Sequence, residues 1–192
     1  MPCGLRAERK AQSRRAALVY PKLEIEIAQA RELPFFNLCE LVWSTASEAC
    51  AKSNYRFRFD HDVEAFVFLL PEPWRVAYAV HELEGYVLGG GFTSFFDTHS
   101  KVLHQDALKG FKAIGASKHL EIVRKALKLR DDEEALGELD SLFFDCSKDD
   151  PRKLLAAYIL EHFTAFREPR QSRLTRFWRQ LKLQALRLTG RF

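Results

Sequence analysis

The residues best equipped for chemistry are His61, flanked by Asp60 and Asp62, and the run Gly89-Gly90-Gly91. An imidazole between two carboxylates has the groups for acid/base work or metal ligation. Adjacent residues of a helix point apart, however, so a first coordination sphere there needs ligands from elsewhere. His81 and Glu84 share a helix face at i, i+3; His99 and His104 lack metal-ligand spacing, and His162 falls on the inner stripe of its helix, where a hydrogen-bonded core histidine is expected. The glycine run is neither a phosphate loop nor a dinucleotide fingerprint, because no Gly-Lys-Ser/Thr follows it and no strand precedes it. Cys3, Cys39, Cys50 and Cys146 lie far apart without CxxC spacing and read as reduced or partly buried thiols. These residues assign no catalytic, cofactor-binding or metal site, and no cofactor or small-molecule substrate is expected. A small metal- or nucleotide-dependent enzyme using His61 or the glycine run stays open as an alternative.

Architecture explains the glycines better. They do not continue a helix cheaply, but they permit positive φ, so they suit a helix stop and a sharp change of direction. Phe92, Phe95 and Phe96 then recur at i, i+3, i+4, which puts three rings on one inward face. Upstream, 73–88 is the expected central helix. Val76, Val80, Leu83 and Val87 form one stripe and Trp74, Ala77, Tyr78 and Leu88 another, and a helix apolar on both sides is buried.

The flanking chain also reads as helix. Leu23 to Ile27 alternates, but the following Ala28-Gln29-Ala30-Arg31-Glu32 favours a helix that Pro34 ends. Asn37 is the expected N-cap of a helix through Leu38, Leu41, Val42, Ala46 and Ala49, closed at Ser53-Asn54. Tyr55 to Phe59 alternates as a short extended connection, and an apolar helix follows from Asp62. Beyond the phenylalanines, Leu103, Ala107, Gly110, Phe111 and Ile114 mark the inner face of a helix stopped by Gly115. Ser117 is the expected cap of the next, with Leu120, Val123 and Leu127 inside. Asp131-Asp132-Glu133-Glu134 sit where a first helical turn favours negative charge, and Asp150-Pro151 opens a helix with Leu155, Tyr158, Ile159, Phe163 and Phe166 inward. The expected fold class is all-α: a multi-helix domain over 21–168, a basic arm over 1–20 and a basic amphipathic helix over 169–192.

At 192 residues the chain is long enough to bury roughly 70% of its unfolded surface. Its 47% apolar and 29% charged residues exclude disorder as the general state. No run approaches a membrane span and the first ten residues lack the apolar core of a secretory signal, so the expected location is cytoplasmic. Charge is uneven: residues 1–59 carry ten basic and six acidic side chains, 60–150 ten and eighteen, and 151–192 ten and two. A partner therefore meets an acidic middle or a basic tail.

The run GGGFTSFF from Gly89 to Phe96, with ALKGFKAIGA from Ala107 to Ala116 and EIVRKAL from Glu121 to Leu127, resembles the bacterial DNA-mimic protein family, the nineteenth of that name. The likeness runs from Val80 to Leu127 and extends more weakly through Leu139 to Phe144 and Tyr158 to His162, which makes 73–166 the family-like core of the domain. It implies an all-α fold, no known catalysis, and a type member that dimerises and presents carboxylates in place of DNA phosphates. The chain departs from the family pattern Asn-Gly-Gly-Phe-x-Gln-Phe-Phe-x-Asn at Gly89, Ser94 and Thr98, where amides are replaced by smaller groups.

The functional expectation is a non-enzymatic, regulatory helical interaction protein whose partner is a protein, with a homodimer also open. Its candidate acidic face is Glu82, Glu84, Asp97, Asp131, Asp132, Glu133 and Glu134. Interleaved lysines and a net charge of +4 oppose imitation of a whole duplex. In the C-terminal segment, Leu174, Phe177, Trp178, Leu181, Ala185 and Leu188 fall within an arc of about 100° on a helix. Arg173, Arg176, Arg179, Lys182 and Arg187 fill the remainder. Three uses stay open for that helix: docking on the acidic body, binding an anionic membrane or nucleic-acid backbone, and entering a partner's groove. Gly90, Gly91, Phe92, Phe95, Phe96 and Gly115 form the structural motif.

Overall fold

In the computed structural model, residues 19–53, 61–146 and 149–168 are described, together with Trp178, Leu181 and Ala185; the side chains of His61 and Asp62 fall outside that description. Among the described residues there is no strand. The helices are α1 (Ile27–Glu32), α2 (Phe35–Lys52), α3 (His61–Phe68), α4 (Glu72–Thr98), α5 (Lys101–Ala113), α6 (Ser117–Lys128), α7 (Glu133–Asp145), α8 (Pro151–Glu161) and α9 (Phe163–Arg167). The all-α expectation holds.

Helix α4 is the centre, packed against α2, α3, α5, α7, α8 and α9. Its two apolar stripes explain that position. Trp74, Ala79, Val80 and Leu83 are fully buried, and the Trp74 indole donates to the Ala165 carbonyl at 3.2 Å. Leu88 is the exception, 43% exposed, because it falls on the outer arc beside Gly85 and Gly89. Helix α5 crosses α4 closely at Gly110, where a Cβ would lie 2.6 Å from Val80 Cγ2.

The glycine run bends the helix at a single residue. Gly89 and Gly90 stay helical, while Gly91 adopts φ 78° and ψ 176°, and the helix resumes at Phe92. That backbone region is open essentially to glycine alone. The break frees the Phe92 N–H, and Asp140 of α7 accepts it at 2.8 Å. A Cβ on Gly91 would sit 2.3 Å from the same carboxylate. Phe92 and Phe95 are fully buried and Phe96 partly so, as the spacing requires. Phe92 meets Phe143 edge-on at 5.6 Å, which locks the second segment of α4 onto α7. Each of the two buried rings supplies roughly 2–3 kcal/mol of transfer free energy.

Gly115 stops α5 with φ 76°. The Ala116 N–H reaches the Phe111 carbonyl at 3.1 Å and the Gly115 N–H reaches Lys112 at 3.2 Å, the paired bonds of a Schellman ending.

Several helix starts differ from the expected ones. Helix α1 begins only at Ile27; residues 19–24 run without regular structure, tied down by Leu23 N–H to the Phe166 carbonyl at 3.0 Å. Asn37 lies inside α2 rather than capping it, because Pro34 already fixes the entry. Ser117 is the first residue of α6, and its cap comes from a distant loop: Asp149 accepts the Lys118 N–H at 2.9 Å and the Ser117 hydroxyl at 3.2 Å. These bonds hold the Asp149 carboxyl below its ordinary range. Asp150-Pro151 opens α8 as expected, with Asp150 as its cap, while Asp132 caps α7 and leaves Glu133 and Glu134 in the first turn. The 55–59 connection and the arm over 1–18 lie outside the described residues.

Gly91→Ala should cost roughly 3 kcal/mol, combining a glycine-only backbone with displacement of Asp140. Asp140→Ala alone should cost about 1 kcal/mol. In a urea-denaturation cycle the double variant should lose less than the two single losses together, since removing the carboxylate removes the clash.

Candidate functional site

A groove of about 360 Å³ opens along the outer side of α4, lined by Trp43, His81, Glu82, Gly85, Tyr86, Gly89, Gly90 and Ser94. It exists because α4 carries glycine at 85, 89 and 90. A Cβ at Gly85 or Gly89 would meet nothing within 4 Å, so this stretch of helix presents bare backbone to the opening. Two of the positions where amides of the family pattern are absent, Gly89 and Ser94, are in this lining.

The walls are held from behind. The Trp43 indole N–H donates to Glu82 Oε1 at 2.7 Å, and its ring stacks on His81 at 5.4 Å with 19° between planes. His81 Nε2 meets Glu40 Oε2 at 3.2 Å. Burial lowers the His81 pKa against the pull of Glu40 and Glu82. Tyr86 packs edge-on against His99 at 4.4 Å.

Beneath the groove lies a polar cluster that sequence spacing does not reveal. His99 Nδ1 meets Glu64 Oε1 at 2.8 Å, and its Nε2 stands 3.7 Å from Glu82 Oε2. Glu64 also accepts the Ser100 N–H through both oxygens, at 3.2 and 3.1 Å, and so anchors the start of α5. Tyr78 is buried near Glu82; burial first, then the charge of Glu82, pushes its pKa upward. The signal that could have found this cluster is the set of carboxylates at apolar positions of two buried helices, Glu64 on α3 and Glu82 on α4.

Glu82 and Glu84 therefore do not belong to an acidic surface. Glu82 is 8% exposed and Glu84 7%. Glu84 pairs with Arg152 Nε at 2.8 Å, and burial still raises its pKa. Asp97, Asp131, Asp132, Glu133 and Glu134 are exposed, and Asp131 lies 3.5 Å from Arg130. Glu138 and Asp145 join them on α7, and between Asp131 and Cys146 there is no lysine or arginine. The same helix exposes Leu142 and Phe144, each by about half.

Of the chemical candidates, His61 and Asp62 begin α3 with side chains outside the description, and Asp60 lies outside it altogether. His81 faces Glu40 while Glu84 faces Arg152. His162 is half-buried, stacked on Tyr158 at 4.1 Å where α8 gives way to α9. Burial pushes the Cys39 thiol up to about 12, far from a nucleophile's range. Among the described residues no group of three or more His, Cys, Asp or Glu is placed to hold a metal ion, and no helix is long and apolar enough to cross a membrane. In the C-terminal segment, Trp178, Leu181 and Ala185 are helical and exposed. Leu174, Phe177 and Leu188 of its apolar arc lie outside the described residues, as do Arg173, Arg176, Arg179, Lys182 and Arg187.

The architecture defines the class first: an all-α protein built round a broken central helix. The central stretch is similar to one known family. Residues 69–162 match the family model described as DMP19-like protein. The resemblance carried by the glycine-phenylalanine run is borne out. No curated protein and no solved structure matches the chain. That match suggests a DNA-mimic-like role in protein interaction, and the matched family is not a known enzyme family.

One buried group makes stability depend on pH. His104 is 4% exposed, with Phe95 and Phe96 at 5.2 and 5.0 Å, and its Nε2 has no hydrogen-bond partner. Burial lowers its pKa from 6.5 to about 4, opposed by Glu64 and aided by His99 and Arg130. Below pH 6.5 the unfolded chain takes up a proton that the folded state refuses, so stability falls between there and pH 4, by up to about 3 kcal/mol. Urea midpoints measured across that window should slope less steeply for His104→Leu than for the wild type.

Proposed function

We propose that this protein is a non-catalytic helical interaction protein that engages a macromolecular partner, most simply a protein, through the acidic outer side of α7. The observation that carries the reading is the composition of that helix and its entry. Asp131, Glu133, Glu134, Glu138 and Asp145 are exposed without an intervening lysine or arginine, and Leu142 and Phe144 stand out among them. Carboxylates steer and orient a basic partner, while exposed rings and aliphatic groups supply the contact that holds it. Glu134, Glu138, Leu142 and Asp145 recur at helical spacing, so they form one ridge.

The reading stops short of imitation of a duplex. Lys112, Lys118, Arg124, Lys125 and Lys128 are exposed on α5 and α6, and the whole chain carries +4. A long-range negative field of the kind a nucleic acid presents is therefore replaced by a short acidic patch beside a basic one. Such a surface selects a partner by matched charge at close range and loses it in salt.

Glu134→Lys/Glu138→Lys/Asp145→Lys tests this, since all three side chains are exposed and their reversal should leave the thermal midpoint within a few degrees. Retention of partner from native lysate at low salt should fall at least tenfold with the variant. Equal retention by wild type and variant would contradict the α7 surface, and no retained partner at low salt would contradict the reading as a whole.

A further inference from the structure

We propose that the groove along α4 receives an arginine side chain of a partner protein, its guanidinium lying against Trp43 and Tyr86 within the field of the Glu82 carboxylate. The proposal deepens the reading of the protein as a binder of a basic macromolecule, and on that reading it rests. It names what one buried part of such a surface would recognise.

Size comes first. About 360 Å³ is near the lower end of the roughly 300–1,000 Å³ typical of ligand sites and accommodates one long side chain. The lining then selects chemistry. It contains two aromatic side chains, Trp43 and Tyr86, an imidazole, a carboxylate and small residues, with no lysine or arginine. Aromatic faces attract cations through their quadrupoles, and a planar guanidinium, less strongly hydrated than an ammonium, stacks on them best.

Charge is complementary as well. Among the described residues, Glu82 accepts from the Trp43 indole and has His99 at 3.7 Å; neither is a lysine or arginine. Burial lowers the His81 pKa, which disfavours a positive charge on that ring. Arg152 is the nearby cation acting on His81, and it is already held by Glu84 at 2.8 Å. The site is also set in place before anything binds: Trp43 is fixed at its N–H by Glu82 and on its face by His81, so an incoming cation orders little.

The test is an NMR titration of the full chain with N-acetyl-arginine amide, with the neutral isostere N-acetyl-citrulline amide as control. The Trp43 indole N–H and the Gly89 amide should shift saturably with the arginine probe and at least tenfold more weakly with citrulline. Gly89→Leu fills the groove from a helical position with open space around it, so it should abolish the response while leaving the thermal midpoint unchanged or higher. Glu82→Gln keeps an acceptor for the indole and should weaken the probe about tenfold by removing charge. Equal response to citrulline, an unchanged response in Gly89→Leu, or no shift at tens of millimolar probe would each overturn the proposal. The α7 charge-reversal variant should answer the arginine probe as wild type does, so failure of partner capture and failure of the groove are read separately.

Discussion

The contact between Asp140 and the backbone released at Gly91 is the constraint from which the rest of the structure follows. A buried central helix that bends must leave N–H groups without partners, and an unpaired buried N–H is too costly to keep. The chain meets this with one carboxylate from α7, 2.8 Å from the Phe92 N–H, and with a glycine whose missing side chain leaves room for it. Once the bend is satisfied, Phe92 and Phe95 are directed into the core and α7 is brought against α4. The bend thus fixes which side of α7 faces outward, and with it the acidic ridge.

The same economy governs the other acidic residues of the middle segment. Glu64 anchors the start of α5, Asp149 caps α6 from a loop, Asp132 and Asp150 cap their own helices, and Asp106 is bonded to Arg75 at 3.0 Å. Glu82 and Glu84 hold Trp43 and Arg152. The carboxylates therefore fall into two groups: some satisfy helix ends and ring N–H groups, while Glu134, Glu138 and Asp145 of α7 stay exposed as a ridge. Net charge does not distinguish the groups.

Much of the fold was legible in the sequence because it rests on local rules. The stripes of 73–88, the i, i+3, i+4 phenylalanines, Gly115 as a left-handed stop and Asp150-Pro151 as a helix start all depend on residues a few positions apart. The errors arose where a distant group took over a local role. Ser117 has the chemistry of a cap, but Asp149 supplies the carboxylate; Asn37 lost its place to Pro34. Glu82 and Glu84 read as surface charge because their partners, Trp43 and Arg152, lie on other helices. The groove was legible only as its ingredients: Gly89 and Ser94 were recognisable as small residues where the family pattern has amides. That Trp43 and His81 would wall the space they leave depends on the packing of α2 against α4, which no local pattern encodes.

Amide hydrogen exchange at Phe92 tests the central claim most directly. As the first residue after a helix break, an uncapped Phe92 N–H would exchange quickly, like other amides of an open first turn. Held by Asp140 inside the packed α4–α7 contact, it should exchange as slowly as the amides of Val80 and Leu83. Exchange at the rate of an exposed helix start, with Val80 and Leu83 still protected, would contradict the account.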